Sequence, residues 1–282
     1  MIAYLGTGLL GSGFVRRLLE RGETVRVWNR TPEKARALAA DGAVVCATAA
    51  EAVRGADQIQ LTLSDDASVD AVLEPLAGEI GASTIILDHT TTAPTPTGER
   101  VARWKQRGVT FVHTPVFMGP AAARNAQGFM LLSAAPEDRA TVKPLIVPMT
   151  GKVIELGDDP TRAAAFKLFG NMMLVFVVTG LADGYRFAES LGIPASEAQR
   201  LFDDFKPGAT FELRGKAMAN GDFTPQWELS MARKDVRLMM EEAQRHGTSL
   251  AVLPAIAAYF DEYVRAGYGG QDVGVVARRE PA

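Results

Sequence analysis

Three groups of residues in this 282-residue chain have the types and spacing to do chemistry. The first is Gly6, Gly8 and Gly11 in AYLGTGLLGSG, a GxGxxG run between a β-rich stretch and the amphipathic FVRRLLERG. Glycines there let the backbone turn tightly and approach a pyrophosphate, whose charge sits against the amides and dipole of a helix start; Thr7, Leu9 and Leu10 belong to the same loop. Glycines also make ordinary turns, so it is the strand–turn–helix setting that points to a dinucleotide. The second group, WNRTPEK, follows the next β-rich run. Where an NAD site usually places an acidic residue, this chain has Asn29, Arg30 and Thr31, with Lys34 a turn later. A guanidinium, a hydroxyl and an ammonium suit a ribose 2′-phosphate that a carboxylate would repel. NADP(H) rather than NAD(H) is expected, against the plainer reading of a solvated helix start. The third group is Lys167 and Asn171 in AAFKLFGNMMLVFVVTG, one helical turn apart on the edge of an apolar segment. Taken alone, Lys167 is either a group with proton chemistry or a snorkelling lysine with its stem on the core and its head in water.

The elements that must position these groups show two rhythms. Up to about residue 158, β-rich runs (AYLG, TVRVWN, AVVCA, QIQLTL, TIILDHT, TFVHTPV, FMLLSA and KVIEL) alternate with helical stretches. That alternation predicts an α/β fold, a mostly parallel doubly wound sheet with helices on both faces. Thr31-Pro32 and Pro136-Glu137 mark helix starts. After GDDP the β-rich runs stop, and apolar-periodic stretches at about 161–191, 195–205, 208–220, 226–246 and 249–266 predict an all-α second half. The expected domains are 1–159, binding the dinucleotide, and 160–282, helical, serving substrate and assembly.

Composition narrows the function classes. With 47% hydrophobic and 22% charged residues the chain can bury a real core. A net charge of −3, a pI near 5.7 and no basic block disfavour nucleic acid or an anionic membrane as partner and favour a small-molecule substrate. The opening MIAYLGTG reads as strand and turn rather than an export signal, so a cytoplasmic protein is expected. Cys46 is the single cysteine, and His89, His113 and His246 are scattered, so neither a disulfide nor a metal site is expected. The uncharged run from Leu168 to Ala182 is short for a membrane span and holds Asn171 and two glycines, which predicts a buried helix.

The glycine loop, NRTPEK, LDHTTTAP, HTPVFMGP, KLFGN and ARKDVRLM occur in an order and spacing that resemble the β-hydroxyacid dehydrogenases, the group containing 3-hydroxyisobutyrate dehydrogenase and the glyoxylate/succinic semialdehyde reductases. The resemblance covers nearly the whole chain. It implies a Rossmann domain, a long interdomain helix and a helical domain that forms a homodimer or homotetramer. It also implies that Lys167 is the catalytic acid/base and that Asn171 hydrogen-bonds the substrate. Hydride addition to a carbonyl builds charge on oxygen, and an ammonium can neutralise it when burial lowers its pKa toward roughly 7–8. Thr91 matches a threonine beside the nicotinamide, with Thr90 in place of a serine; a threonine cluster before Pro94 equally suits a turn and helix cap. Leu63 and Ser64 match a leucine–proline loop along the cofactor, with the proline lost. Lys234 matches a lysine near the cofactor, Asp235 an aspartate closing the site, and Trp227 an aromatic of the substrate pocket, with a plain core tryptophan the other reading. As neighbours on a helix, Lys234 and Asp235 are not expected to pair.

One departure stands out. The substrate loop of the family usually reads D-A-P-V-S-G-G, whereas this chain has HTPVFMGP, so Phe117 and Met118 replace serine and the first glycine before Gly119, and His113 replaces the aspartate. A lost hydroxyl and two large apolar groups should disfavour a small carboxylate and favour a bulkier or less polar substrate. The reading is therefore an NADP(H)-dependent oxidoreductase of small carbonyl compounds, semialdehydes or 3-hydroxy acids. Imine reductases share the architecture but generally lack the matching lysine. A non-catalytic NADP-binding module is the remaining alternative.

Overall fold

The structure, a computed structural model, describes residues 1–279. Its contacts divide the chain into one compact unit over Met1–Met172 and another from Met173 onward.

In the first unit, β1 (Ile2–Leu5), β2 (Val25–Trp28), β3 (Val44–Val45), β4 (Gln58–Leu61), β5 (Ile85–Asp88) and β6 (Thr110–His113) form one parallel sheet in the order β3-β2-β1-β4-β5-β6. Side chains alternate across it: Ile2 and Tyr4 enter one buried cluster with Phe14, Val15 and Leu18, while Ala3 and Leu5 enter another with Val69, Leu73 and Trp104. Both faces are covered, which is why the strands read as nearly continuous apolar runs. The covering helices are α1 (Leu9–Glu20), α2 (Pro32–Arg36), α3 (Ala49–Val53), α4 (Asp66–Leu73) and α5 (Pro94–Gln106). Strand order reverses between β1 and β4, the switch point where doubly wound sheets take ligands.

The run TFVHTPV does not continue as one strand. Pro115 has no N–H for a ladder, and beyond it the chain leaves β6 and enters a second sheet, in which β7 (Val116–Phe117) runs antiparallel to β8 (Phe129–Leu132) and β8 parallel to β9 (Lys152–Glu155). Helices α6 (Pro120–Arg124) and α7 (Pro136–Ile146) connect these strands. Thr31 stands at the N-cap of α2, but its side chain makes no cap bond, whereas Thr48 and Glu51 form a reciprocal capping box on α3.

Helix α8 (Arg162–Ser190) begins in the first unit and ends in the second. Its first turn is anchored by the Ala163 amide donating to Ser133 Oγ at 2.8 Å. The expected burial of its uncharged run does not hold within the single chain: Met172, Leu174, Val175, Phe176, Val177 and Val178 are all exposed. The helix is long and apolar enough to cross a membrane by length and composition alone.

The second unit continues with α9 (Ala195–Ala198), α10 (Leu201–Asp204), α11 (Leu213–Ala219), α12 (Leu229–Arg245) and α13 (Leu253–Tyr263). Two expected helices are broken: 195–205 into α9 and α10, and 208–220 into a 3-10 turn at Pro207–Phe211 followed by α11. Two buried carboxylates hold the unit together. Asp183 accepts from the amides of Ala251, Val252 and Leu253 at the start of α13, and Asp272 accepts from Arg214 Nε and the amides of Gln226, Trp227 and Gly274. Burial pushes both carboxyls up, but these donors outweigh it and hold Asp183 below the usual carboxylate range and Asp272 down to about 2.

Candidate active site

The glycine loop follows β1. Gly6 has φ +97°, and a side chain there would meet the Thr62 carbonyl and come within 2.9 Å of Leu63 Cδ2. Above Gly8 a Cβ would meet nothing within 4 Å, and no side chain caps the N-terminus of the 12-residue α1. The buried Thr7 hydroxyl lacks a partner. A cavity of about 260 Å³ lies against Thr7, Gly8, Leu9, Ser12, Arg16 and Lys34. Open space over a glycine, free helix amides and a cation on the wall fit the phosphates of a dinucleotide.

Not every loop residue offers its side chain. Leu10 packs into the first buried cluster, leaving only its backbone at the loop. Asn29 Oδ1 accepts from the Thr7 amide at 2.9 Å, and its Nδ2 donates to the Thr31 carbonyl at 2.9 Å. Both ends of that amide are spent on bracing the glycine loop against the end of β2. Arg30, Thr31 and Lys34 are exposed. Asp65, held below the usual carboxylate range mainly by Ser68, is also influenced by the Arg30 charge.

The threonine segment after β5 is braced by buried hydrogen bonds from β5, β6 and the loops beside them. The Thr90 hydroxyl, rather than that of Thr91, accepts from the Leu63 amide at 2.9 Å, and the Thr90 amide donates to Asp88 Oδ1 at 2.9 Å. His113 Nε2 donates to the Thr90 carbonyl at 2.8 Å, and His89 Nδ1 lies 3.0 Å from the Thr114 carbonyl. Burial pushes Asp88 up to about 6 and His89 and His113 down to about 4, so both imidazoles are neutral props near pH 7. Thr91 and Ser64 are exposed beside this scaffold, and Leu63 packs into the second buried cluster.

Lys167 is only 8% exposed. Its ammonium donates to Asn171 Oδ1 at 3.0 Å and sits 4.1 Å from the centre of the Phe117 ring. An ammonium has no acceptor, so the Asn171 oxygen must face it and the amide NH₂ is turned away, available to another acceptor. Burial alone lowers the lysine pKa, and no ion pair reaches it among the described residues. The snorkelling alternative, a head standing in water, does not fit a lysine of which so little is exposed. Met118 packs into the first cluster, and Gly119 is exposed where α6 begins.

Trp227, Lys234 and Asp235 belong to the second unit. Trp227 is 43% exposed, its amide fixed by Asp272. Lys234 and Asp235 do pair, Nζ to Oδ1 at 3.0 Å, contrary to the expectation from helix geometry. Helix neighbours point apart at Cβ, but a long lysine stem on a half-exposed face can fold back to the adjacent carboxylate. Among the described residues no three His, Cys, Asp or Glu side chains are grouped to hold a metal.

Comparison with known proteins agrees with this geometry. Residues 1–157 match the model of the NAD-binding domain of 6-phosphogluconate dehydrogenase, and residues 162–279 that of NADP-dependent 3-hydroxyisobutyrate dehydrogenase. The chain is 26% identical to 3-sulfolactaldehyde reductase of Escherichia coli, covering 96% of this chain and 92% of that one. It is 28% identical to a probable 3-hydroxyisobutyrate dehydrogenase of Mycobacterium bovis, over 88% and 87% of the two chains. An imine reductase from Myxococcus stipitatus in complex with NADP+ superposes with a TM-score of 0.92 over 99% of each chain, at 19% identity, a likeness of fold. The glycine loop, the buried lysine–asparagine pair and the two family matches together place this chain in the β-hydroxyacid dehydrogenase family of nicotinamide-dependent oxidoreductases.

Proposed function

We propose that the chain interconverts a small carbonyl compound and the corresponding alcohol, of the semialdehyde or 3-hydroxy acid type, with NADP(H) as coenzyme and Lys167 as acid/base. The observation that carries this reading is the buried Lys167, whose ammonium is held by Asn171 and pairs with no carboxylate among the described residues. Bound nicotinamide supplies or accepts the hydride. Lys167 gives its proton to the carbonyl oxygen as charge develops there, and in the oxidative direction takes it from the hydroxyl. The outward NH₂ of Asn171 donates to the same oxygen and orients it. The Gly6–Gly11 loop and α1 take the pyrophosphate, and Arg30 with Lys34 takes the ribose phosphate.

Relatives named for sulfolactaldehyde and hydroxyisobutyrate support a short hydroxy-acid or aldehyde skeleton. Phe117, standing in place of a hydroxyl, favours a larger or less polar one, so 3-hydroxyisobutyrate itself should be turned over poorly. Trp227 and Asp235 are assigned to the substrate side and Lys234 to the cofactor. The imine reductase reading has the fold likeness in its favour. Lys167 argues against it, because that fold's imine-reducing members generally lack this lysine. The exposed apolar length of α8 supports assembly into a homodimer or homotetramer.

Lys167→Ala tests the assignment: turnover should fall roughly 10²–10⁴-fold with NADPH binding, followed by fluorescence, nearly unchanged. Retention of most activity would remove Lys167 from the reaction. Arg30→Asp should raise the KM for NADPH more than that for NADH, and an equal effect on both would remove the phosphate contact.

A further inference from the structure

Phe117 stands where the family carries a serine, and its surroundings give it a role beyond filling space. The residue is fixed from two sides. In β7 it pairs with Phe129 of β8, and its ring packs on α8 at Gly170, where an added Cβ would come within 2.8 Å of ring carbon Cε1. The lack of a side chain at Gly170 is therefore what admits the ring to the helix surface. One turn earlier on that surface is Lys167, with its ammonium 4.1 Å from the ring centroid, well within the ~6 Å over which an aromatic face attracts a cation. The remaining polar neighbour is Asn171, which is neutral; among the described residues no carboxylate, imidazole or guanidinium perturbs the amine.

We propose that Phe117, seated on Gly170, is the positioning residue of Lys167: its ring is the platform on which the ammonium rests and the wall that keeps water from that side. The proposal rests on the acid/base reading above, but its first test does not use turnover. The ring acts in two opposed ways. Its face favours the charged amine, and its bulk excludes the water that would favour it more. Two substitutions separate these. Phe117→Leu keeps the bulk and removes the π face, so the Lys167 pKa should fall, a change of roughly three- to tenfold in its acid constant. Phe117→Ala admits water beneath the ammonium, so the pKa should rise. Gly170→Ala, which leaves Phe117 in the chain but displaces its ring, should follow Phe117→Ala.

The measurement is a pH titration of the full-length chain labelled with [¹³Cε]lysine, read by NMR, with the Lys167 signal identified by its loss in Lys167→Met. Opposite movements in the Leu and Ala variants, with Gly170→Ala siding with Ala, are expected. An unchanged Lys167 titration in Phe117→Leu and Phe117→Ala would overturn the proposal. The pH profile of kcat then tests the underlying reading separately: where the amine titration moves and the rate profile does not, the platform stands and Lys167 is not the proton donor.

Discussion

The two units solve the problem of burial differently. In the first, both faces of the parallel sheet are closed by the chain's own helices, and residues such as Tyr4, Leu5, Ile59, Leu61 and Trp104 reach full burial. In the second, the described residues form one cluster of buried side chains, built on Leu229, Tyr263 and Val275. Large apolar groups remain outside: Leu174, Val175, Phe176 and Val178 on α8, each 58–64% exposed, Leu201, Phe205 and Leu213 beyond it, and Leu238 and Met239 on α12. Scattered apolar side chains are normal on a surface, but a continuous set along one helix marks a contact site. The fuller closure around the sheet and the barer face of α8 are in keeping with the proposed division between binding the dinucleotide and building the assembly.

A charge on the exposed face attacks this contrast most strongly. Phe176→Asp should disperse the assembly, because an unpaired carboxylate buried at an interface costs several kcal/mol, roughly 10³-fold in association. Light scattering would read the mass, and dinucleotide binding by the first unit should persist. An unchanged mass would mean that α8 is not the contact. Within the second unit, Asp183→Ala strips three amides of their acceptor and should cost about 2–3 kcal/mol. Hydrogen exchange should quicken in α13 while the amides of β1 and β4 keep their protection. Equal loosening of both would show that the units do not unfold independently.

The smallest effect belongs to the first unit and to pH. His89 and His113 are held near 4 in the fold, so below about pH 6.5 the unfolded chain binds protons that the folded chain refuses, and stability falls toward pH 4. Asp88, raised to about 6, works in the opposite direction, its stabilising share being fullest at low pH and lost as pH rises through 6. Two imidazoles against one carboxyl leave a net uptake near one proton on unfolding between pH 6 and 4, a slope of about 1.4 kcal/mol per pH unit. Thermal melts across that range should show it, and His113→Asn should make the slope nearly flat. A slope of the opposite sign would contradict the buried, neutral assignment of the histidines.

What could be read in advance follows the range of the interactions. The strands and the glycine loop announce themselves through patterns only a few residues long, with periods fixed by backbone geometry, and nearly all of them are present. The long helix is equally legible as a helix, but its sequence does not reveal what covers it. The buried carboxylates were invisible because Asp183 meets its amides 68–70 residues away and Arg214 meets Asp272 58 residues away, without any periodic signal. Thr90 hid beside Thr91 for another reason: adjacent hydroxyls are indistinguishable until the backbone decides which one faces the Leu63 amide. Phe117 could be seen as a departure, but not as a neighbour of Lys167, because Gly170 carries no side chain to announce the cleft it leaves.

The hydrogen bond from Lys167 to Asn171 also ties amide orientation to proton inventory. A charged amine can be satisfied only by the carboxamide oxygen, whereas a neutral one can also receive a hydrogen from the nitrogen end. Once the proton departs, the bias that turned the NH₂ outward disappears, and the carboxamide is free to swing round until the amine is recharged. Its rotamer would thus record whether the amine carries its proton.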